Sequence, residues 1–422
     1  MHLGALVEAQ RRAFTARPPR YEDRDDALHR LERALIAGAP ELAAAVSEDF
    51  GGRSPDETRA LEILPIINEI RYARRHLNAW MKPRRAAVQW QAWPATARVI
   101  YEPRGVVGIV SPWNYPLFLT LVPVTCAIAA GNHVLVKPSE LTPATGALMQ
   151  SLVAELFSPE YVHVVTGGVD VATAFVSLPF DHLLFTGSTR IGKLVMKAAS
   201  ENLVPVTLEL GGKSPVIVHP SYSIKQAAER ILTGKLYNAG QTCIAPDYVL
   251  VPRKKRAEFI EEARQAIVGM YPTLVDNPDY TRIINAQHYQ RLTRLVDDAR
   301  RQGADVIEIN PRADACNAGN RVIPPTIVSG VRGEMSIAQE EIFGPVLPIV
   351  DYETVDDAIA YINARPHPLA FYYFDNDAGR VTHVVGRVQS GGVTVNDCIF
   401  HVGQPALPFG GVAPLAGGAV PA

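Results

Sequence analysis

GVVGIVSPWNYPLFLTLVPVTCAIAAGNHVLVKPSE, residues 105–140, decides how the chain is read. Its first six residues form a continuous apolar run, the composition of a strand buried on both faces. The stretch 117–130 is as apolar, but it is too short to span a bilayer. Pro123 interrupts it and Gly131-Asn132 end it, so it reads as a buried helix. HVLVK at 133–137 is a second strand. A strand, a helix and a strand in this order predict a parallel pair with the helix as crossover. The pattern continues with a helix over 143–157, a strand at 162–166, a helix near 170–177 and a strand, HLLFTG, at 182–187. Such alternation defines the doubly wound α/β class, in which ligands bind beyond the carboxyl ends of the strands.

The loops at those ends carry the polar residues. SPWNYP (111–116) offers Asn114, a side-chain amide donor suited to an oxyanion. KPSE (137–140) offers Lys137 and Glu140, a donor and an acceptor for ribose hydroxyls. FTGST (185–189) places Gly187 and Ser188 at a helix start, where backbone N–H groups and the helix dipole attract a pyrophosphate. Each has a plainer alternative: a turn residue, a solvated ion pair, a helix cap.

Two further residues stand out downstream. VTLELGGKSPVIV (206–218) holds GGKS, but Thr207 occupies the place of the first glycine of a phosphate loop, so that motif fails. Glu209 lies between two leucines at a strand end. Burying an acid is costly, and desolvation raises its pKa toward that of a usable general base; a structural ion pair is the alternative. GQTCIAPD (240–247) presents Cys243 between Gly240, which tolerates unusual backbone shapes, and Pro246, which ends regular structure. A cysteine on such a turn suits a nucleophile; a buried structural cysteine is the competing reading.

The remainder is scaffold. The first eighty residues read as helical, with Leu28, Leu31 and Leu35 on one face and Ser54-Pro55-Asp56-Glu57 starting a helix that runs to Trp80 with a kink at Pro65. Residues 85–103 alternate in the manner of a hairpin bearing Trp90 and Trp93. The second half repeats the alternation: helices at 223–238, 256–269, 286–302, 355–364 and 377–388, strands at 247–252, 345–350, 369–374 and 391–396. EEIFGP (340–345) forms a loop before a strand. The chain has 422 residues, enough for two or three domains, is 47% hydrophobic and carries a net charge of -2. That balance gives no general attraction to nucleic acid or anionic membrane. Four cysteines, Cys126, Cys243, Cys316 and Cys398, show no metal-ligand spacing and are too sparse for a disulfide scaffold, which suits a reducing, cytoplasmic compartment.

PWNYP, KPSE, FTGST, LELGGKSP, GQTCIAPD, EEIFGP, GGVTVND and LPFGG, in this order, resemble the motifs of the aldehyde dehydrogenase superfamily, and most of all its coniferyl aldehyde dehydrogenase branch. The resemblance implies a doubly wound NAD-binding domain (1–84 and 104–210), a second α/β catalytic domain (211–411) and an oligomerisation hairpin (85–103) that makes a homodimer. It implies Cys243 as the nucleophile, Asn114 with the Cys243 N–H as the oxyanion site, and Glu209 as the base that activates water. Trp113, Lys137, Glu140, Gly187, Ser188, Ile191, Glu341 and Phe343 correspond to cofactor contacts. NAD is favoured over NADP by Glu140, whose carboxylate accepts from a 2′-hydroxyl and repels a 2′-phosphate, although members of this branch use both. The implied substrate is an aromatic aldehyde such as coniferaldehyde, or a medium-chain aliphatic one. A CoA-acylating relative and a non-catalytic NAD-binding protein are the alternatives. The tail VAPLAGGAVPA (412–422) departs from the family pattern and reads as atypical and shortened, without a strand signal.

Overall fold

The computed structural model describes residues 3–412 and the backbone of 416–417; the rest of the atypical tail lies outside the described residues. The chain forms two compact units. The first comprises the chain up to Ala43 with Arg59–Thr186 and Lys193–Val206; the second comprises Ala44–Thr58, Gly187–Gly192 and the chain from Thr207 onward.

In the first unit, four parallel strands lie in the order His182–Gly187, Val106–Val110, His133–Lys137, Val162–Val164. Helices Phe118–Ala129, Pro143–Leu156 and Val169–Val176 are the crossovers. Every residue of the two middle strands is buried, as their unbroken apolar runs require. Leu28, Leu31 and Leu35 are all fully buried on the helix Tyr21–Ala37.

The single helix expected from 54 to 80 is three segments. Pro55–Thr58 is α-helical, Arg59–Ile63 is a π-helix, and Leu64–Trp80 is α-helical again. Pro65 therefore falls in a first turn, where its missing N–H has no intrahelical partner to lose, and the irregularity sits before it. The helix starts after Ser54 as expected, and the Ser54 Oγ donates to Asp279 Oδ1 at 2.9 Å. The hairpin exists. Arg84–Ala86 pairs antiparallel with Ala97–Val99, and Trp90 and Trp93 at its tip are 76% and 75% exposed.

The second unit holds a seven-stranded sheet in the order Asp305–Glu308, Thr326–Ser329, Val346–Tyr352, Pro246–Pro252, Ser214–Val218, Ala370–Phe374, Gly392–Val395. All neighbours are parallel except the first pair. Period-2 alternation sends Val216, Val218, Val249, Val251, Tyr372 and Phe374 into one core with helices Ile224–Leu236 and Arg256–Met270. Ile217, Leu250, Phe371 and Tyr373 enter the opposite core with Ile359 and Ile362. The short pair 305–308 and 326–329 gives no periodic signal strong enough to be read from sequence. VTLELGGKSPVIV is two strands, Val206–Leu210 and Ser214–Val218. Ala416–Gly417 pairs antiparallel with Leu208 and Glu209, a strand that the tail's composition does not announce.

Candidate active site

In the first unit, the loop 111–116 leaves the strand Val106–Val110 and enters the helix Phe118–Ala129. Glu62, fully buried in the π-helix, accepts the N–H of Leu117 at 2.8 Å and of Phe118 at 3.1 Å, so a carboxylate anchors the loop's exit at the helix start. Thr120 Oγ1 donates to Ser111 Oγ at 2.6 Å and ties the loop's two ends together. Between them Asn114 is buried and Trp113 is half-buried. Lys137, 1% exposed, donates to the Pro138 carbonyl at 2.7 Å and lies 3.7 Å from Glu140, whose side chain is 40% exposed. Burial lowers the Lys137 pKa, with Glu140 and Asp170 partly offsetting it.

In the second unit, the segment before Cys243 leaves helical geometry. The helix expected to reach 238 ends at Leu236, and Asn238, Ala239 and Gly240 follow with φ of 53°, 50° and 73°. A glycine is required at 240: a Cβ there would stand 2.3 Å from the Gly344 carbonyl oxygen. Gln241 holds the turn from within. Its Nε2 donates to the carbonyls of Asn238 (3.0 Å) and Arg282 (3.1 Å), and its Oε1 accepts the Ile284 N–H at 3.0 Å. On the far side of the cysteine, Tyr372 Oη donates to the Ile244 carbonyl at 2.5 Å.

Cys243 is half-buried against the core of this unit. Burial first, then the charges of Glu341 and Glu209, push its thiol up to about 12; the N–H groups of Cys243 and Ile244 pull it partly back. The resting group is therefore a thiol. Glu209, on the strand Val206–Leu210, is pushed up to about 7 by desolvation, and its Oε2 is buried without a hydrogen-bond partner. Glu341 is pushed up to about 8, by burial and then by Asp247, while the Gly212 N–H bonds it. Its carboxylate lies so close on the backbone that a Cβ on Gly211 would stand 2.1 Å from Oε2, and its Oε1 has no partner.

Three side chains hold the Glu341 loop, and sequence reading missed all three. Lys213 donates to the carbonyls of Ile337 (3.0 Å) and Glu340 (2.7 Å) and to Asp247; Asp247 Oδ1 accepts the Ile342 N–H at 2.8 Å; Arg291 donates to the carbonyls of Glu341 (3.0 Å) and Ile342. The lysine of the failed phosphate-loop motif thus has a loop-holding role. Asp247 sits inside GQTCIAPD and could have been noticed there; Arg291 carries no local signal. Phe343 follows with φ 51°, strained for a phenylalanine, and Gly344 then packs on Gly240. Gly187 and Ser188 open the helix Thr189–Ser200; Ser188 is exposed, Ile191 is half-buried and its N–H meets Ser188 Oγ at 3.4 Å. Gly192 lets that helix approach Leu210, since a Cβ would stand 2.7 Å from Leu210 Cδ2.

A thiol acted on by two carboxyl groups, each with a buried oxygen that makes no hydrogen bond, on a unit with parallel α/β topology, fits an oxidoreductase or acyl-transfer enzyme of cysteine type. The orphaned oxygen of Glu341, held on glycine backbone, fits a ribose hydroxyl donor, as a dinucleotide would supply. The model of the aldehyde dehydrogenase family matches residues 3–414, and the chain belongs to that family. It is 50% identical over 413 residues, 98% of this chain and 86% of the relative, to the probable coniferyl aldehyde dehydrogenase of Pseudomonas aeruginosa. The substrate-bound structure of Staphylococcus aureus AldH superposes with a TM-score of 0.92 at 38% identity, covering 98% and 89% of the two chains. The Mycobacterium tuberculosis aldehyde dehydrogenase complexed with NAD+ gives 0.87 at 27% identity, covering 99% and 86%. The activity is NAD(P)-dependent oxidation of an aldehyde to the acid.

Proposed function

We propose that Cys243 is the nucleophile of this reaction and Glu209 its base. The observation that carries the reading is the buried, unpartnered Glu209 oxygen, on a carboxyl poised near neutral pH whose charge acts on the sulfur. A thiol held near 12 reacts only as its proton departs to solvent, which leaves a carboxylate of pKa about 7 free to accept the proton of an attacking water in the later step. The sulfur then bonds the aldehyde carbon while the Cys243 N–H and the Asn114 amide donate to the developing oxyanion. Bound NAD(P) supplies the acceptor for the hydride that leaves this carbon. The remaining thioester is attacked by water, Glu209 takes the water's proton, the C–S bond breaks and the thiol is regenerated. Glu341 would accept from the nicotinamide-ribose hydroxyl, Phe343 would contact the ring, and Trp113 and Ile191 would flank the cofactor. Lys137 and Glu140 serve the adenine ribose, and Gly187 with Ser188 the phosphates. Glu140 then favours NAD over NADP.

The proposed substrate is an aromatic aldehyde of the coniferaldehyde type, supported by the 50% identity to a probable coniferyl aldehyde dehydrogenase. The chain is proposed to act as a homodimer through its hairpin and, with four free cysteines, in the cytoplasm. Glu209 speaks against a CoA-acylating reaction, in which water must be kept from the thioester.

The test is Cys243→Ala. NADH formation from coniferaldehyde should fall by more than about a thousandfold, with NAD binding within about threefold of the parent by fluorescence titration. Turnover that survives would remove Cys243 from the chemistry.

A further inference from the structure

The turn that presents Cys243 is strained, and part of what holds it comes from a distant segment. Asn238 and Ala239 both have positive φ, a conformation that costs a non-glycine residue about 1–3 kcal/mol and persists only where surroundings impose it. Glu57, on the one-turn helix Pro55–Thr58, reaches across 181 positions of sequence: its Oε1 accepts the Asn238 N–H at 2.7 Å. That same oxygen lies 3.4 Å from Arg53 Nε, and the two side chains are 6% and 0% exposed. Arg53 in turn lies 5.4 Å over the Phe50 ring. A buried ion pair is expensive to desolvate and weak as a source of stability, so its retention at the root of the nucleophile turn asks for a purpose. The segment bearing it is itself pinned to the residues that Gln241 reads. Arg282 N–H donates to the Gly52 carbonyl at 3.1 Å, Arg321 Nη2 donates to the Phe50 carbonyl at 3.1 Å, and Ser54 bonds Asp279.

We propose that Glu57, backed by Arg53, is a positioning residue for the nucleophile: it acts through the left-handed Asn238–Gly240 turn and touches neither substrate nor cofactor. The proposal rests on Cys243 being the reacting thiol. A displacement of that sulfur by a fraction of an ångström suffices to slow attack, since misplacement by about 1 Å costs about a hundredfold.

Glu57→Gln keeps an acceptor in place but loses the charge that orders it. In the full-length chain, kcat and the rate of Cys243 alkylation by iodoacetamide should fall together, by about tenfold to a hundredfold, with NAD affinity within about threefold. Ala239→Gly relieves the backbone strain, so the same loss measured in an Ala239→Gly background should shrink by about threefold or more, a coupling that separates the clamp from general loss of stability. A folded Glu57→Gln protein that alkylates and turns over within about twofold of the parent overturns the proposal. So does an equal loss in both backgrounds, and so does a failure to fold in both, which would make the pair a scaffold element only. If the label maps elsewhere than Cys243 and Cys243→Ala still oxidises aldehydes, the nucleophile assignment fails instead; if the label is on Cys243 and Glu57→Gln is indifferent, only the clamp fails.

Discussion

Glu209 shows how one side chain carries a cost and a use at once. Its carboxyl moves from 4.5 to about 7 because burial penalises the charged form. In the folded chain it still holds its proton between those values, where the unfolded chain has lost it. Stability contributed at low pH is therefore lost as pH rises from about 4.5 to about 7, and it stays lost above. Glu209→Gln removes the penalty: its melting temperature should match the parent near pH 4 and exceed it near pH 8, by about 1–3 kcal/mol in stability, solvent reaching the half-buried group having trimmed the gain. Its chemistry should suffer in the opposite sense. The parental kcat should rise with pH through about 7 as the base ionises; Glu209→Gln should give a burst of about one NADH per site and then stall, read by stopped flow. Steady turnover at the parental rate would reject the base assignment.

Among the elements, the Asn238–Gly240 turn concentrates the constraints. Gly240 has φ +73° and backs directly on the Gly344 carbonyl, so Gly240→Ala meets both an unfavourable conformation and a backbone atom that cannot swing aside. About 2–4 kcal/mol of stability should be lost, measured by urea unfolding. Activity should fall further than stability alone explains, because the Glu341 loop rests on the same contact. Gly344→Ala is the milder comparison, since its Cβ would meet Leu292 side-chain atoms that can repack. The same turn marks a limit of sequence reading. Periodicity carries the helix past Leu236, and only Gly240 hints at the break; the left-handed geometry of Asn238 and Ala239 is imposed by Glu57, Gln241 and the loop at Gly344.

At the scale of the whole molecule, the hairpin is the part of the first unit whose strands bury no residue. Trp90 and Trp93 are three-quarters exposed in the single chain, a state that a large aromatic surface rarely keeps in solution. Replacing both with serine should convert the proposed dimer to a monomer by light scattering, leaving each unit's fold intact by circular dichroism. A monomeric parent, or a dimeric variant, would dismiss the hairpin as the contact. No helix among the described residues is long and apolar enough to cross a membrane, in keeping with the reading of 117–130 as a buried helix.

The alternation of buried strands and crossover helices, and the order of short polar loops after them, were determined by the sequence alone. They depend on local periods of two and 3.6 residues, which a chain displays before it folds. The identities of Cys243, Glu209 and Asn114 as candidates were equally local, read from the turn, the strand end and the loop that carry them. The tertiary structure decided what those residues are worth. The thiol's high pKa, the orphaned oxygens of Glu209 and Glu341, and the bonds of Lys213, Asp247, Arg291 and Glu57 depend on burial and on partners tens to hundreds of positions away. Desolvation and charge are summed in space, and no window along the chain contains that sum.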